Sequence, residues 1–164
     1  MSDPSLAILI VEDDHHERLI RRYLQKRGMK GRIRVESSPS GTGSAEQWVR
    51  KTFVKEVSVC RKRHAKTALV VVVDADSGTV HGRLKQLDQA LQAAGTDPID
   101  SANEQIARLV PKRNIETWIL CLNSKAVDEV ADYRKGSHWG KLIPQAAETL
   151  LQWTQSSEAP PPSA

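Results

Sequence analysis

Long hydrophobic runs and cysteines are both scarce in this chain of 164 residues. Its longest apolar runs, residues 6–11 and 68–73, are far shorter than the roughly 18–20 residues that a membrane-spanning helix needs. Asp3 precedes the first apolar stretch, which is not the pattern of a secretory signal. The two cysteines, Cys60 and Cys121, form neither a disulfide framework nor a metal-binding motif. We therefore expect a cytoplasmic protein with reduced thiols and no membrane contact.

Positive charge is in only small excess: the chain has 24 Lys and Arg and 20 Asp and Glu, which gives a net charge of +4. This mild basicity permits a nucleic-acid partner without requiring one. Hydrophobic residues make up 39% and charged residues 27%, which is typical of a globular chain rather than a disordered one. The length suits one domain with a short appendage.

Short apolar runs alternate with segments of helical periodicity along the chain. The runs predict strands, and their continuous apolar character is typical of parallel strands buried on both faces. We therefore predict an α/β domain of three layers with a mostly parallel sheet and a helical C-terminal extension. The predicted strands are residues 6–11, 32–36, 68–73 and 106–110, and the predicted helices are residues 16–27, 45–63, 80–94, 114–122, 126–133 and 141–155.

Acidic residues directly follow the two most apolar of these strands. Glu12 comes after the first, and Asp74 and Asp76 come after the third. Ligands of parallel sheets bind at the carboxyl ends of strands, and converging carboxylates repel one another unless a cation lies between them. Oxygen ligands favour Mg²⁺ or Mn²⁺, and such an ion can assist phosphoryl transfer. The alternative is that Asp74 and Asp76 only cap the next turn.

A second group of polar residues surrounds the predicted helix start at Asn114. Glu116 would lie in the first helical turn, where its charge favours the helix dipole. The functional alternative makes Glu116 a further metal ligand or general base, with Lys112 and Arg113 contacting a phosphate.

Gly41 and Gly43 lie in a Gly/Ser-rich loop before a predicted helix, with Arg50 close in sequence. Backbone amides at a helix start bind anions, so this loop is a candidate phosphate site, although a simple flexible loop explains it equally well. His15 and His16 are neighbours that point in different directions on a helix. Only one of them could therefore take a metal or acid–base role, and the favoured interpretation gives neither such a role.

The pattern resembles the Toprim domain of topoisomerases, bacterial primases and overcoming-lysogenization-defect nucleases. The matching segments are residues 8–12 (ILIVE), 71–76 (VVVDAD) and 114–118 (NIETW), the last similar to a motif of small stand-alone bacterial Toprim-like proteins. The first match departs at Asp13, where Toprim domains usually carry Gly.

This resemblance covers roughly residues 6–122 and implies a Toprim-like domain, which we place at residues 1–122. The helical segments that follow predict a helical extension packed on it over residues 123–157, and the tail at 158–164, which has no apolar periodicity, is expected to be disordered. The resemblance also implies a Mg²⁺- or Mn²⁺-dependent phosphoryl-transfer enzyme, most simply a nuclease. Asp74 and Asp76 would be metal ligands, and Glu12 would be a metal ligand or a general acid/base. The substrate would be nucleic acid, DNA in preference to RNA. Stand-alone members suggest a role in mobile elements or phage defence.

Two alternatives stay open at this stage. Residues 8–14 (ILIVEDD) also resemble the start of a response-regulator receiver domain, in which Asp74 would accept a phosphoryl group. The gap between Asp14 and Asp74 is longer than receivers usually have, and no Pro follows Asp74. The second alternative is an inactive Toprim fold that serves as a subunit beside a partner protein encoded nearby.

Overall fold

Strands and helices alternate along most of the chain. The computed structural model describes residues 3–41, 43–63 and 65–156, and the predicted disordered tail at 158–164 lies outside the described residues. Within them no helix combines the length and apolarity needed to cross a bilayer. The elements in chain order are β1 (Leu6–Val11), α1 (Asp14–Lys26), β2 (Arg32–Ser37), α2 (Ala45–Lys62), β3 (Thr67–Val72), α3 (Val80–Ala93), β4 (Ile106–Leu109), α4 (Ile115–Leu122) and α5 (Trp139–Gln155).

The strands form one parallel sheet in the order β2-β1-β3-β4. This arrangement confirms the α/β class and the parallel sheet predicted from sequence. The chain winds outward from β1 to β2, then crosses back to β3 on the other side of β1. The point between β1 and β3 where the winding reverses is where open α/β sheets bind their ligands, beyond the carboxyl ends of the strands.

The central strand β1 is apolar throughout because helices cover both of its faces. Leu9 and Val11 join one hydrophobic cluster with α1, α4 and α5. Ile8 and Ile10 join a second cluster with α2 and α3 on the opposite face. Alternating side chains of a strand point to opposite faces, so a strand between two helical layers needs apolar residues at every position.

The C-terminal part of the chain differs from the sequence expectation in one segment. Helix α5 packs against α1 and α4, but the helix predicted at residues 126–133 is wrong, because this stretch forms turns. Asp128 accepts a hydrogen bond from the backbone N–H of Val130, and Asp132 accepts one from that of Arg134. Short acidic side chains that bond nearby backbone in this way compete with helix formation.

The cluster against α2 and α3 can be tested through Phe53, which has 0% exposure. The variant Phe53→Ala should lose about 3–5 kcal/mol of unfolding free energy, because a cavity remains where the ring packed. Val130→Ala is the control: its side chain is 70% exposed, and the change should stay within about 0.5 kcal/mol. Urea unfolding measures both, and equal losses in the two variants would contradict this packing.

Candidate metal centre

Two acidic residues meet where β1 and β3 end. The strands pair in register up to Val11 and Val72, so Glu12 follows β1 level with Val73 and one position before Asp74. The Glu12 carboxylate oxygen Oε2 accepts a hydrogen bond from the backbone N–H of Asp74 at 3.1 Å. The predicted convergence of these two residues at one sheet edge is therefore present in the structure.

His16 lies in the first turn of α1, and its ring contacts Asp74 beyond the end of β3. Asp13 caps α1 by accepting hydrogen bonds from the backbone N–H groups of His15 and His16. This cap places the His16 ring over the strand ends, where Nδ1 lies 2.8 Å from Asp13 Oδ1 and Nε2 lies 2.9 Å from Asp74 Oδ1. Both ring nitrogens therefore face carboxylates, and the ring itself is fully buried.

These contacts set the charge of His16. Burial disfavours the charged ring, but the hydrogen bonds to Asp13 and Asp74 outweigh burial and raise the pKa of His16 to about 10. Burial likewise opposes the charge of Asp13, yet the contacts with His16 lower the pKa of Asp13 to about 2. The group is thus a buried imidazolium held between two carboxylates.

Glu12 has the opposite balance. Burial raises its pKa to about 7, the N–H of Asp74 acts against this rise, and the charge of Asp74 adds to it. Burial also raises the pKa of Asp74, against the stabilising contact with His16. The charge of Glu12 is therefore disfavoured by burial, and a nearby cation would stabilise it.

Glu12, His16 and Asp74 together could hold a metal ion, and these three residues are called the metal group below. One ligand atom of each lies within 4.8 Å of the others, and no other group of this kind occurs among the described residues. The metal set predicted from sequence contained Asp76 in place of His16. Asp76 lies beside the group, and its charge contributes to the raised pKa of Glu12.

The Asp76 carboxylate forms ion pairs with two arginines. Its Oδ1 lies 3.2 Å from the Arg134 guanidinium, and its Oδ2 lies 3.8 Å from that of Arg83. The Asp76 backbone has a left-handed φ of 51°, a conformation that Asp tolerates better than most residues. Its N–H donates to the carbonyl of Arg113. Asp76 could ligate a metal only after exchanging these arginines.

Glu116 lies at the same edge and is buried, with 2% exposure. Asn114 caps α4 by accepting a hydrogen bond from the N–H of Thr117, so the helix start does not depend on Glu116. The Glu116 Oε1 atom lies 2.6 Å from His15 Nδ1, and the His15 ring packs 5.5 Å from that of Trp139. The other oxygen, Oε2, is buried with no hydrogen-bond partner among the described residues.

The charge of Glu116 reaches the metal group, because it contributes to the raised pKa of Asp74. The sequence hypothesis that Glu116 shares a site with Asp74 stays a prediction. His15 and His16, which the sequence interpretation set aside, connect α1 to these two carboxylates.

The predicted phosphate-binding residues are spread around this edge. Lys112 pairs with Glu129 at 3.0 Å, and Arg113 has a left-handed φ of 68° and lies 3.7 Å from Asp132. Its Nε is buried without a partner among the described residues.

The other predicted phosphate contacts lie before and within α2. Gly41 and Gly43 have left-handed φ angles in the exposed loop between β2 and α2. Arg50 lies 3.6 Å from Glu46 on α2, and Glu46 in turn lies 3.0 Å from Arg83. Arg83 donates to the backbone carbonyl of Asp74, so the start of α2 is connected to the metal group.

The raised pKa of Glu12 predicts a pH-dependent gain in stability for Glu12→Gln. The folded state has a pKa of about 7 against 4.5 for the free side chain. The ionised group thus opposes folding above about pH 7, and this effect is absent below about pH 4.5. Without metal, the variant should exceed wild type by up to about 3 kcal/mol at high pH. The two should converge on acidification.

Urea unfolding in EDTA at about pH 8 and about pH 4.5 measures this difference. Asp14→Asn is the control, because the Asp14 side chain is 70% exposed, and its effect should be small at both pH values. A gain of the same size for Glu12→Gln at both pH values would contradict the raised pKa as its cause.

No protein-family model, curated protein or solved structure matches this chain. The resemblance to Toprim domains therefore depends on its motif residues alone, and these are Glu12 after β1, Asp74 and Asp76 after β3, and Glu116 in α4. It stays a prediction. The geometry of the metal group is the basis on which a function can be proposed.

Proposed function

We propose that this protein is a divalent-metal-dependent phosphoryl-transfer enzyme, a nuclease with a Toprim-like site. The observation that carries the proposal is the convergence of the Glu12 and Asp74 carboxylates where β1 and β3 end, beside the buried His16 that bonds Asp74. This group lies where the winding of the sheet reverses, which is the usual ligand position of such folds. Nucleic acid, DNA in preference to RNA, is the proposed substrate.

The donor set suits Mg²⁺ or Mn²⁺. Both ring nitrogens of His16 are engaged by carboxylates, so Glu12 and Asp74 are the proposed ligands and His16 is the residue that orients Asp74. One or two carboxylates, completed by water and phosphate oxygens, are the usual protein contribution to a Mg²⁺ site. A cation here would also compensate the carboxylate of Glu12, which burial destabilises.

The other residues of the edge have proposed roles around the phosphate. The metal, when bound, supplies positive charge to the phosphoryl oxygens. Arg113 and Lys112 follow β4 at this edge and are suited to bind phosphate oxygens once these replace their carboxylate partners. Glu116 would keep His15 fixed through the 2.6 Å contact at Nδ1, and the other ring nitrogen would be the one to exchange a proton.

The geometry favours this proposal over a phosphate-accepting receiver. Asp74 has 3% exposure, and its Oδ1 is bonded to His16. A phosphoryl acceptor needs an accessible oxygen. A receiver would become phosphorylated at Asp74 by acetyl phosphate, and mass spectrometry should find no such adduct.

Calorimetry with Mn²⁺ tests the proposed ligands. Glu12→Gln and Asp74→Asn should each weaken Mn²⁺ binding by about tenfold or more, because each removes one anionic ligand. Asp76→Asn should weaken binding by no more than about threefold, since Arg83 and Arg134 already engage its carboxylate. A larger loss for Asp76→Asn than for Asp74→Asn would move the centre toward Asp76.

Cleavage of plasmid DNA and of RNA in Mn²⁺ tests the activity and the substrate. Glu116→Gln keeps the size of the side chain and an acceptor for His15, so its melting temperature should stay within a few degrees of wild type. Its cleavage rate should fall by about tenfold or more. Glu148→Gln, on α5 beside Lys26, is the control and should cleave as wild type does.

Binding of Mn²⁺ with cleavage of neither nucleic acid would contradict the proposed activity. That result would favour the inactive subunit of a larger complex.

A further inference from the structure

The outer face of α2 carries three lysines in a row. Lys51, Lys55 and Lys62 are exposed, and at 3.6 residues per turn they fall within about 40° of one another around the helix axis. They extend over about 16 Å of helix at 1.5 Å per residue. These three residues are called the lysine ridge below.

Both acidic residues of α2 point away from the lysine ridge. Glu46 contacts Arg83 and Glu56 contacts Arg34, and the two carboxylate side chains are only 16% and 5% exposed. Among the described residues no ion pair involves a lysine of the ridge. Lys51 and Lys55 are four residues apart, a spacing at which like charges destabilise a helix. Within the described part of the chain, the positive charges of the ridge thus have no acidic partner, whereas both carboxylates of α2 pair with arginines.

Helix α1 on the other side of the sheet shows the contrast. It is also rich in basic residues, but Arg18 pairs with Asp14, Arg21 pairs with Glu17, and Lys26 pairs with Glu148 of α5. Much of the positive charge of α1 is therefore neutralised within the protein. The unneutralised charge of α2 is not a general consequence of the net charge of +4.

The first turn of α2, which lies at one end of the lysine ridge, is connected to the metal group. Glu46 lies 3.0 Å from Arg83, which donates to the carbonyl of Asp74. Lys51 follows the helix start by about 9 Å. Gly41 and Gly43 lie in the exposed loop that leads into the helix. A strand lying along the ridge would thus point toward the strand ends that carry Glu12 and Asp74.

We infer that the lysine ridge binds the phosphate backbone of a nucleic acid strand and directs it to the metal group. The spacing of about 6 Å between Lys51 and Lys55 along the helix is close to that of successive phosphates in an extended strand. The inference rests on the proposed function for the identity of the polyanion, and the ridge names the surface that holds it. Contacts of this kind position a strand without reading its sequence.

The test compares two triple variants that remove the same charge. Lys51→Gln, Lys55→Gln and Lys62→Gln remove the ridge. Exposed basic residues outside α2 and α3 form the control triple, which is Arg22→Gln, Lys30→Gln and Lys125→Gln. Each triple lowers the net charge from +4 to +1, because three positive charges are lost.

Binding is measured by fluorescence anisotropy with a labelled oligo-dT of about 20 nucleotides, in EDTA and at about 50 mM salt. The ridge triple should raise the Kd by about tenfold or more, and the control triple by no more than about threefold. The slope of log affinity against log salt should fall by about 2 in the ridge triple, because a single strand contributes about 0.7 per phosphate contact. Circular dichroism should show both variants folded.

Three results would overturn the inference: equal losses in the two triples, no binding of oligo-dT by wild type, or ridge-dependent binding only to vesicles containing phosphatidylserine. Because binding is measured without metal, the result is independent of the cleavage assay. Ridge-dependent binding without cleavage in Mn²⁺ would contradict the proposed activity alone. Cleavage with equal losses in the two triples would contradict the lysine ridge alone.

Discussion

The buried contact between His16 and two carboxylates is the interaction on which the functional edge depends. A charged ring with no solvent exposure is tolerable only if opposite charges compensate it, and Asp13 and Asp74 do so through its two nitrogens. The ring lies in the first turn of α1, where the helix dipole disfavours a positive charge, so both carboxylates are needed. One side chain thus joins the start of α1 to the end of β3 and fixes the orientation of Asp74.

Several features of this edge follow directly from local sequence. The strand at Leu6–Val11 is apolar at every position, which indicates burial on both faces, and acidic residues after β1 and β3 must meet if those strands pair. Asn114 directly precedes a helix, as the preference of Asn for helix caps predicts. These signals require only the chain itself and the geometry of parallel sheets.

The remaining features depend on partners that are distant in sequence. His15 contacts Glu116, and His16 contacts Asp74. The Asp76 carboxylate is paired with Arg83 and Arg134. Asp13 gave a local signal for His16, because an Asp before a helix is typical of an N-cap whose side chain accepts from the N–H groups of the first turn. The mistaken helix at residues 126–133 had an amphipathic pattern, and acidic side chains that bond their own backbone overrode it.

The long sequence separation of the paired residues bears on the order in which the protein folds. Glu12 and Asp74 are 62 residues apart, and His16 and Asp74 are 58 apart, so both contacts form only when β3 joins β1. Before that step His16 has only its local partner Asp13, and the two halves of the site remain apart. Since non-local pairing slows folding, we expect Glu12, His16 and Asp74 to come together late, after local helices have formed. A chain emerging from the ribosome would therefore not bring these three residues together until β3 had been synthesised and paired with β1.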